Sequence, residues 1–177
     1  MNLLYSEIPG LKIEVLVPDF KGDIEALKVV VGACPTVLGH NLETVPRLYP
    51  AVRPMADYRR SLDLLARVKD IDPEMVTKSG IMLGLGEEMS EVLQVMRDLR
   101  EVGCDLLTLG QYLAPAKFSH PIVRYVTPED FEEYIPAGLD MGFRGVASAP
   151  LMRSSYKADE FYREAIEKCP SDQFPKI

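Results

Sequence analysis

The chain has 177 residues, enough for one domain with its own apolar core. Its 47% hydrophobic and 27% charged residues match a folded globular protein, and a net charge of −7 argues against a nucleic-acid or anionic-membrane partner, because phosphate needs a basic face. No apolar run approaches a membrane span, and the first residues, MNLLYSEIPGLKIEVL, lack the basic start and cleavage site of a secretory leader, so a cytoplasmic location is expected.

The predicted elements alternate. Ile13 to Val17 is a β-branched run stopped by Pro18 and predicts a buried strand. Asp23 to Ala33 places Ile24, Leu27, Val30 and Val31 at helical spacing. Thr36 to Leu42 is a second strand, and Ala56 to Ile71 is a helix with one apolar side. Thr77 to Leu85 is a third strand ending in Gly84 and Gly86. Glu87 to Val102 is an amphipathic helix stopped by Gly103, and Asp105 to Leu109 is a fourth strand. Thr127 and Pro128 open a helix to about Met141, with a disturbance expected at Pro136. Gly145 to Ser148 is a short fifth candidate. A last helix follows Ala158 to Lys168, and Pro170 to Ile177 reads as frayed.

Strand and helix in alternation with short connections predict a parallel sheet. Four good strands are too few to close an eight-stranded barrel. The first strand reads as buried although it starts a dozen residues from Met1, so the chain begins as though in the middle of a fold. Residues 1–150 hold the strand–helix units, and 151–177 form a separate terminal segment.

In such folds functional groups collect past the carboxyl ends of strands. Asp19, His40, Asn41, Glu43, Lys78, Ser79, Gln111 and the Gly84–Glu87 turn all stand there. Asp19 also suits a turn cap, His40 a hydrogen-bonded core position and the glycines a tight turn. A lysine inside a strand is costly against an apolar core, so Lys78 is expected to face a polar cavity or an anion. Asn41, Glu43, Lys78, Ser79 and Gln111 together suit a zwitterionic ligand with hydroxyls: its carboxylate on Lys78 or Ser79, its amine and hydroxyls on the others. A desolvated Lys78 also allows a Schiff-base amine as an alternative. Arg153-Ser154-Ser155-Tyr156 reads locally as a surface turn before a helix.

Several stretches go further. GHNLETVPRLYPAVRP (39–54), TKSGIMLGLGE (77–87), VMRDLREVGCDLLTLGQYLAP (95–115) and RSSYKAD (153–159), in that order, resemble lipoyl synthases from about residue 11 to 160. The resemblance implies an α/β fold, a partial (β/α) barrel with about four parallel strands here, incomplete on its N-terminal side. It implies a radical enzyme that inserts sulfur at two carbons of a protein-bound octanoyl chain. The implied cofactors are S-adenosylmethionine, cleaved to a deoxyadenosyl radical, and two [4Fe-4S] clusters, one of them the sulfur source. Asn41, Glu43, Lys78 and Ser79 fall in motifs that line the family's S-adenosylmethionine side, and Ser154 matches its serine ligand to the auxiliary cluster. Arg60 falls in a variable helix segment.

The family's two cysteine motifs, CxxxCxxC and CxxxxCxxxxxC, are absent. Cys34, Cys104 and Cys169 stand 65–70 residues apart with no CxxC pair. The clusters are therefore not expected to assemble on this chain alone, and a non-catalytic ligand- or partner-binding role is the alternative. The expected partners are an octanoylated lipoyl carrier domain, an N-terminal half supplied by another chain, and further copies of this chain through open sheet edges.

Overall fold

The computed structural model describes residues 1–167. The predicted helix end at Lys168, Cys169 and the stretch 170–177 lie outside the described residues. In chain order the elements are α1 (Asn2–Glu7), β1 (Glu14–Leu16), α2 (Ile24–Gly32), β2 (Val37–Gly39), a short α3 (Tyr49–Val52), α4 (Tyr58–Ile71), β3 (Val76–Leu83), α5 (Met89–Glu101), β4 (Leu106–Gln111), α6 (Pro128–Asp140), β5 (Gly145–Ser148) and α7 (Ala158–Tyr162). A π-helical turn over Arg163–Glu167 extends α7.

Local chemistry starts the main helices. The Asp23 carboxylate accepts from the Glu25 and Ala26 amides ahead of α2, and Asp57 accepts from the Arg60 amide at α4. Thr127 caps α6 through the Asp130 amide, with Pro128 in the first turn. The expected disturbance at Pro136 does not divide α6, which runs through it to Asp140 as one helix. Among the described residues no helix is long and apolar enough to cross a membrane.

The five strands form one parallel sheet in the order β1-β2-β3-β4-β5. The fifth candidate is thus a full member, paired to β4 from Leu106↔Gly145 to Leu109↔Ser148. Sequential order with all helical crossovers on one face is the wiring of a (β/α) barrel, here an open arc. Leu38, Ile81, Leu83, Leu107 and Leu109 turn to α2, α4, α5 and α6 and bury with Leu65, Val95, Met96 and Phe131. Each such fully buried side chain contributes about 1.5–3 kcal/mol relative to exposure.

The inner face is different. Val37, Val76 and Leu106 are covered by Ala165, with Phe161, Tyr162 and Ile166 beside it. Close approach is possible because β5 begins with Gly145, where a Cβ would sit 2.6 Å from the Ala165 Cβ. The terminal segment therefore closes the amino end of the inner face and leaves the carboxyl end open.

β1 departs from expectation. Among the described residues it is the edge of the sheet, paired with β2 alone, and Leu16 is 61% exposed. A β-branched run reports affinity for burial, but burial itself depends on neighbours, and β1 has a neighbour on one side only.

Candidate functional site

A cavity of about 270 Å³ opens at the carboxyl ends of β2, β3 and β4, with Asn41, Glu43, Met82, Thr108, Arg153 and Ser154 on its walls. Its floor is kept open by glycine. A Cβ at Gly80 would lie 2.9 Å from Asn41 Oδ1 and 3.0 Å from Thr108 Oγ1, and one at Gly110 would run into the Met152 carbonyl. Past its regular end, β2 continues to pair with β3: the Glu43 amide donates to the Gly80 carbonyl at 2.9 Å, and the Glu43 carbonyl accepts from the Met82 amide at 2.7 Å. Glu43 does this at φ +67°, a left-handed conformation unusual outside glycine and common at functional positions.

Three predicted residues meet at this rim. Asn41 Nδ2 donates to Glu43 Oε1 at 3.1 Å and to Ser154 Oγ at 3.2 Å, so residues 113 positions apart share one polar cluster. Asn41 and Glu43 are half-buried, which leaves polar surface for a ligand.

Lys78 meets an anion, but one within the fold. Its side chain is 2% exposed, and Nζ donates to both Glu14 oxygens, at 2.9 and 3.0 Å, and to the Ser154 carbonyl at 2.5 Å. The Phe161 ring lies 5.6 Å away. An ammonium has three donors, and all three are used. Lys78 thus does face an anion, as a strand lysine should, but the anion is Glu14 on β1. In this arrangement the three donors go to Glu14 and Ser154, not to a ligand carboxylate or a Schiff-base carbonyl.

Ser79 is also displaced. Strand alternation points it to the helix face, opposite Lys78, where its hydroxyl accepts from the Leu42 amide at 3.3 Å. Gln111 borders the cavity, but its side-chain amide is turned away. Nε2 donates to the Tyr112 and Arg124 carbonyls and Oε1 accepts from the Val126 amide, pinning the loop that leads into α6. Two of the five predicted ligand-binding side chains, Asn41 and Glu43, therefore remain directed at the cavity.

The other rim residues take their structural roles. His40 is buried with Nδ1 2.9 Å from the Val17 carbonyl, and burial lowers its pKa from the ordinary value. Asp19 accepts from the Lys21 amide and pairs with Arg60 at 2.7 Å. Glu87 accepts from the Gly84 and Leu85 amides, so the glycine pair, at φ +97° and +105°, forms a tight turn.

Sequence reasoning missed Thr108 and Arg153 as cavity residues and Glu14 as the partner of Lys78. Thr108 was signalled by a hydroxyl on an otherwise leucine-rich strand. Arg153 is exposed, and its Nη1 donates to the Met152 carbonyl at 2.6 Å. It lines the cavity and supplies a guanidinium at its rim.

The donors do not suit an iron–sulfur cluster. Such clusters need several thiolates. Cys34 is exposed and Cys104 is buried in the main core, and among the described residues no group of three His, Cys, Asp or Glu is placed to hold a metal. Burial pushes the Cys104 thiol up to about 12. Ser154 would be a single hard oxygen donor. An adenosyl amino acid, in contrast, suits a rim that offers one carboxylate, one guanidinium, an amide and hydroxyls.

Fold and rim together define the class: an open parallel (β/α) arc with a polar cavity at the carboxyl ends of its central strands. No family model matches the chain. It is 57% identical over 153 residues to a lipoyl synthase of Caldanaerobacter subterraneus, covering 86% of this chain and 54% of that one. It is 55% identical over 159 residues to a lipoyl synthase of Rubrobacter xylanophilus, covering 90% and 50%, and 51% identical over 168 residues to one of Alkaliphilus metalliredigens, covering 95% and 57%. By sequence the chain belongs with the lipoyl synthases over the region it shares with them, and it spans about half the length of these curated relatives.

Proposed function

We propose that this chain is the C-terminal part of a lipoyl synthase and forms the S-adenosylmethionine side of its cavity. The carrying observation is the convergence of Asn41, Glu43 and Ser154 on one rim, with Arg153 beside them. Glu43 would accept from the ligand amine or ribose hydroxyls, Asn41 would bind a hydroxyl, and Arg153 would take the carboxylate in place of Lys78. S-adenosylmethionine, when bound, supplies the radical chemistry of the family. The residues of this chain bind and orient it, and the terminal segment that begins at 151 acts as a separate unit whose described part, 151–167, caps the sheet of 1–150.

Sulfur insertion into an octanoyl chain on a lipoyl carrier domain is proposed for the complete protein, with two [4Fe-4S] clusters whose thiolate ligands lie outside this sequence and with Ser154 as the one oxygen ligand this chain would offer the auxiliary cluster. On this reading the chain by itself is inactive and its cytoplasmic partners are the carrier domain and the cysteine-bearing half. Calorimetry of S-adenosylmethionine with this chain tests the binding part. Saturable binding weakened about tenfold or more by Glu43→Gln supports it, and absence of binding removes it.

A further inference from the structure

The segment that carries Ser154 has few holds of its own. Its backbone bonds are short-range, Met152 amide to Ala149 carbonyl at 3.0 Å and Tyr156 amide to Arg153 carbonyl at 2.9 Å. Leu151, Arg153, Ser155, Tyr156 and Lys157 are all exposed, and Lys157 stands at φ +50° before α7. A stretch with so little buried apolar surface opens readily unless something else holds it. Its side chains meet Asn41 at the Ser154 hydroxyl and the Gln111 carbonyl at Arg153, while its backbone is held from outside by one buried cation: Lys78 Nζ reaches the Ser154 carbonyl from below and both Glu14 oxygens hold the ammonium from the other side.

We propose that Lys78, braced by Glu14, is a positioning residue that latches residues 152–156 over the inner face of the sheet and so sets the Ser154 hydroxyl against Asn41. The bond runs to the Ser154 backbone, so the latch fixes the chain and leaves the hydroxyl free to turn between Asn41 and a ligand. It joins three separated parts of the sequence, the edge strand β1, the central strand β3 and the terminal segment. The burial of Lys78 is thereby explained: an ammonium taken out of water needs all three donors satisfied, and the carbonyl supplies the third. The position of Ser154 matters to function only through the reading proposed above, but the latch itself is independent of any ligand.

Hydrogen exchange of the chain without ligand tests it. Lys78→Met is expected to speed exchange of the Met152 and Tyr156 amides by about tenfold or more, the loss of a charged hydrogen bond, relative to the change at Leu107 and Leu109 in β4. Lys78→Arg keeps donors for both partners and should restore protection. The swap Glu14→Lys with Lys78→Glu restores an ion pair but leaves a carboxylate facing the carbonyl, so the segment should stay loose. Unchanged exchange at Met152 and Tyr156 in Lys78→Met, or wild-type protection in the swap, would overturn the latch. Should the methionine variant not fold, amine acetylation of the wild-type chain in mild denaturant decides. Lys78 is expected to become reactive together with Tyr156 exchange while Leu107 is still protected, and Lys78 reacting while Tyr156 remains protected overturns the latch. None of these readouts depends on S-adenosylmethionine, so failure of the latch and failure of the proposed function are separable.

Discussion

At the scale of single residues, the cavity depends on what is missing from side chains as much as on what is present. Gly80 lies between Asn41 and Thr108 with no room for a methyl group. Gly80→Ala should force Asn41 off Ser154 and fill the floor, at about 1–3 kcal/mol of stability, typical of overpacking. The check is paired: thermal unfolding for stability and calorimetry for ligand, and a variant that binds S-adenosylmethionine as the parent does would contradict the placement of the site. A second residue-scale consequence concerns alkali. Burial raises Cys104 from 9.0 to about 12 and Tyr134 from 10.0 to about 12. A group whose pKa is raised by folding keeps its proton longer in the native state, so its share of stability is complete below the ordinary value and falls away as pH rises toward about 12. Denaturant midpoints should therefore drop from pH 9 upward, and Cys104→Ala should flatten the first part of that drop. An equal drop in the variant would show that Cys104 is not responsible.

At the scale of elements, the longer helices α2, α4, α5 and α6 were readable because their signals are local, whereas the short α1 and α3 were not. Asp23, Asp57 and Thr127 each stand within three residues of the amide they cap, and the apolar spacing of α4 and α5 needs no partner to be seen. Asp57→Ala removes the acceptor for the Arg60 amide and should cost about 1 kcal/mol, read as a lowered melting temperature. No change would mean that the α4 start is held by its packing alone. The rim was readable only in part, for the opposite reason. That a strand lysine must meet an anion follows from desolvation, but that the anion is Glu14, 64 residues earlier, depends on β1 and β3 flanking β2. Gln111 has the same history: its position past β4 is evident, whereas its engagement with the loop at Arg124 and Val126 requires the path of that loop. Alternation alone could have assigned Ser79 to the face opposite Lys78.

At the scale of the molecule, the wiring of the sheet followed from the order of strand and helix, and the number of strands turned on crediting the four residues Gly145–Ser148. The burial of β1 could not be read at all, because it is a property of whatever lies beside it. In this chain β1 has one paired side, Leu16 is 61% exposed, and Leu3, Leu4 and Ile8 are exposed in and just after α1. An unprotected parallel edge with apolar side chains is a template for further strands. The occupants expected for such an edge are a second copy of this chain and the half of the relatives' length that this chain does not span. Either one is disfavoured by a charge on the edge. Leu16→Lys should shift sedimentation of concentrated protein from associated species toward monomer without loss of the helix signal in circular dichroism, since Leu16 supports no interior packing. A cysteine-bearing half added to the parent chain should displace self-association in the same concentration range, because both would need the same edge. Parent protein that sediments as a monomer at all concentrations would show that the β1 edge is not an adhesive surface.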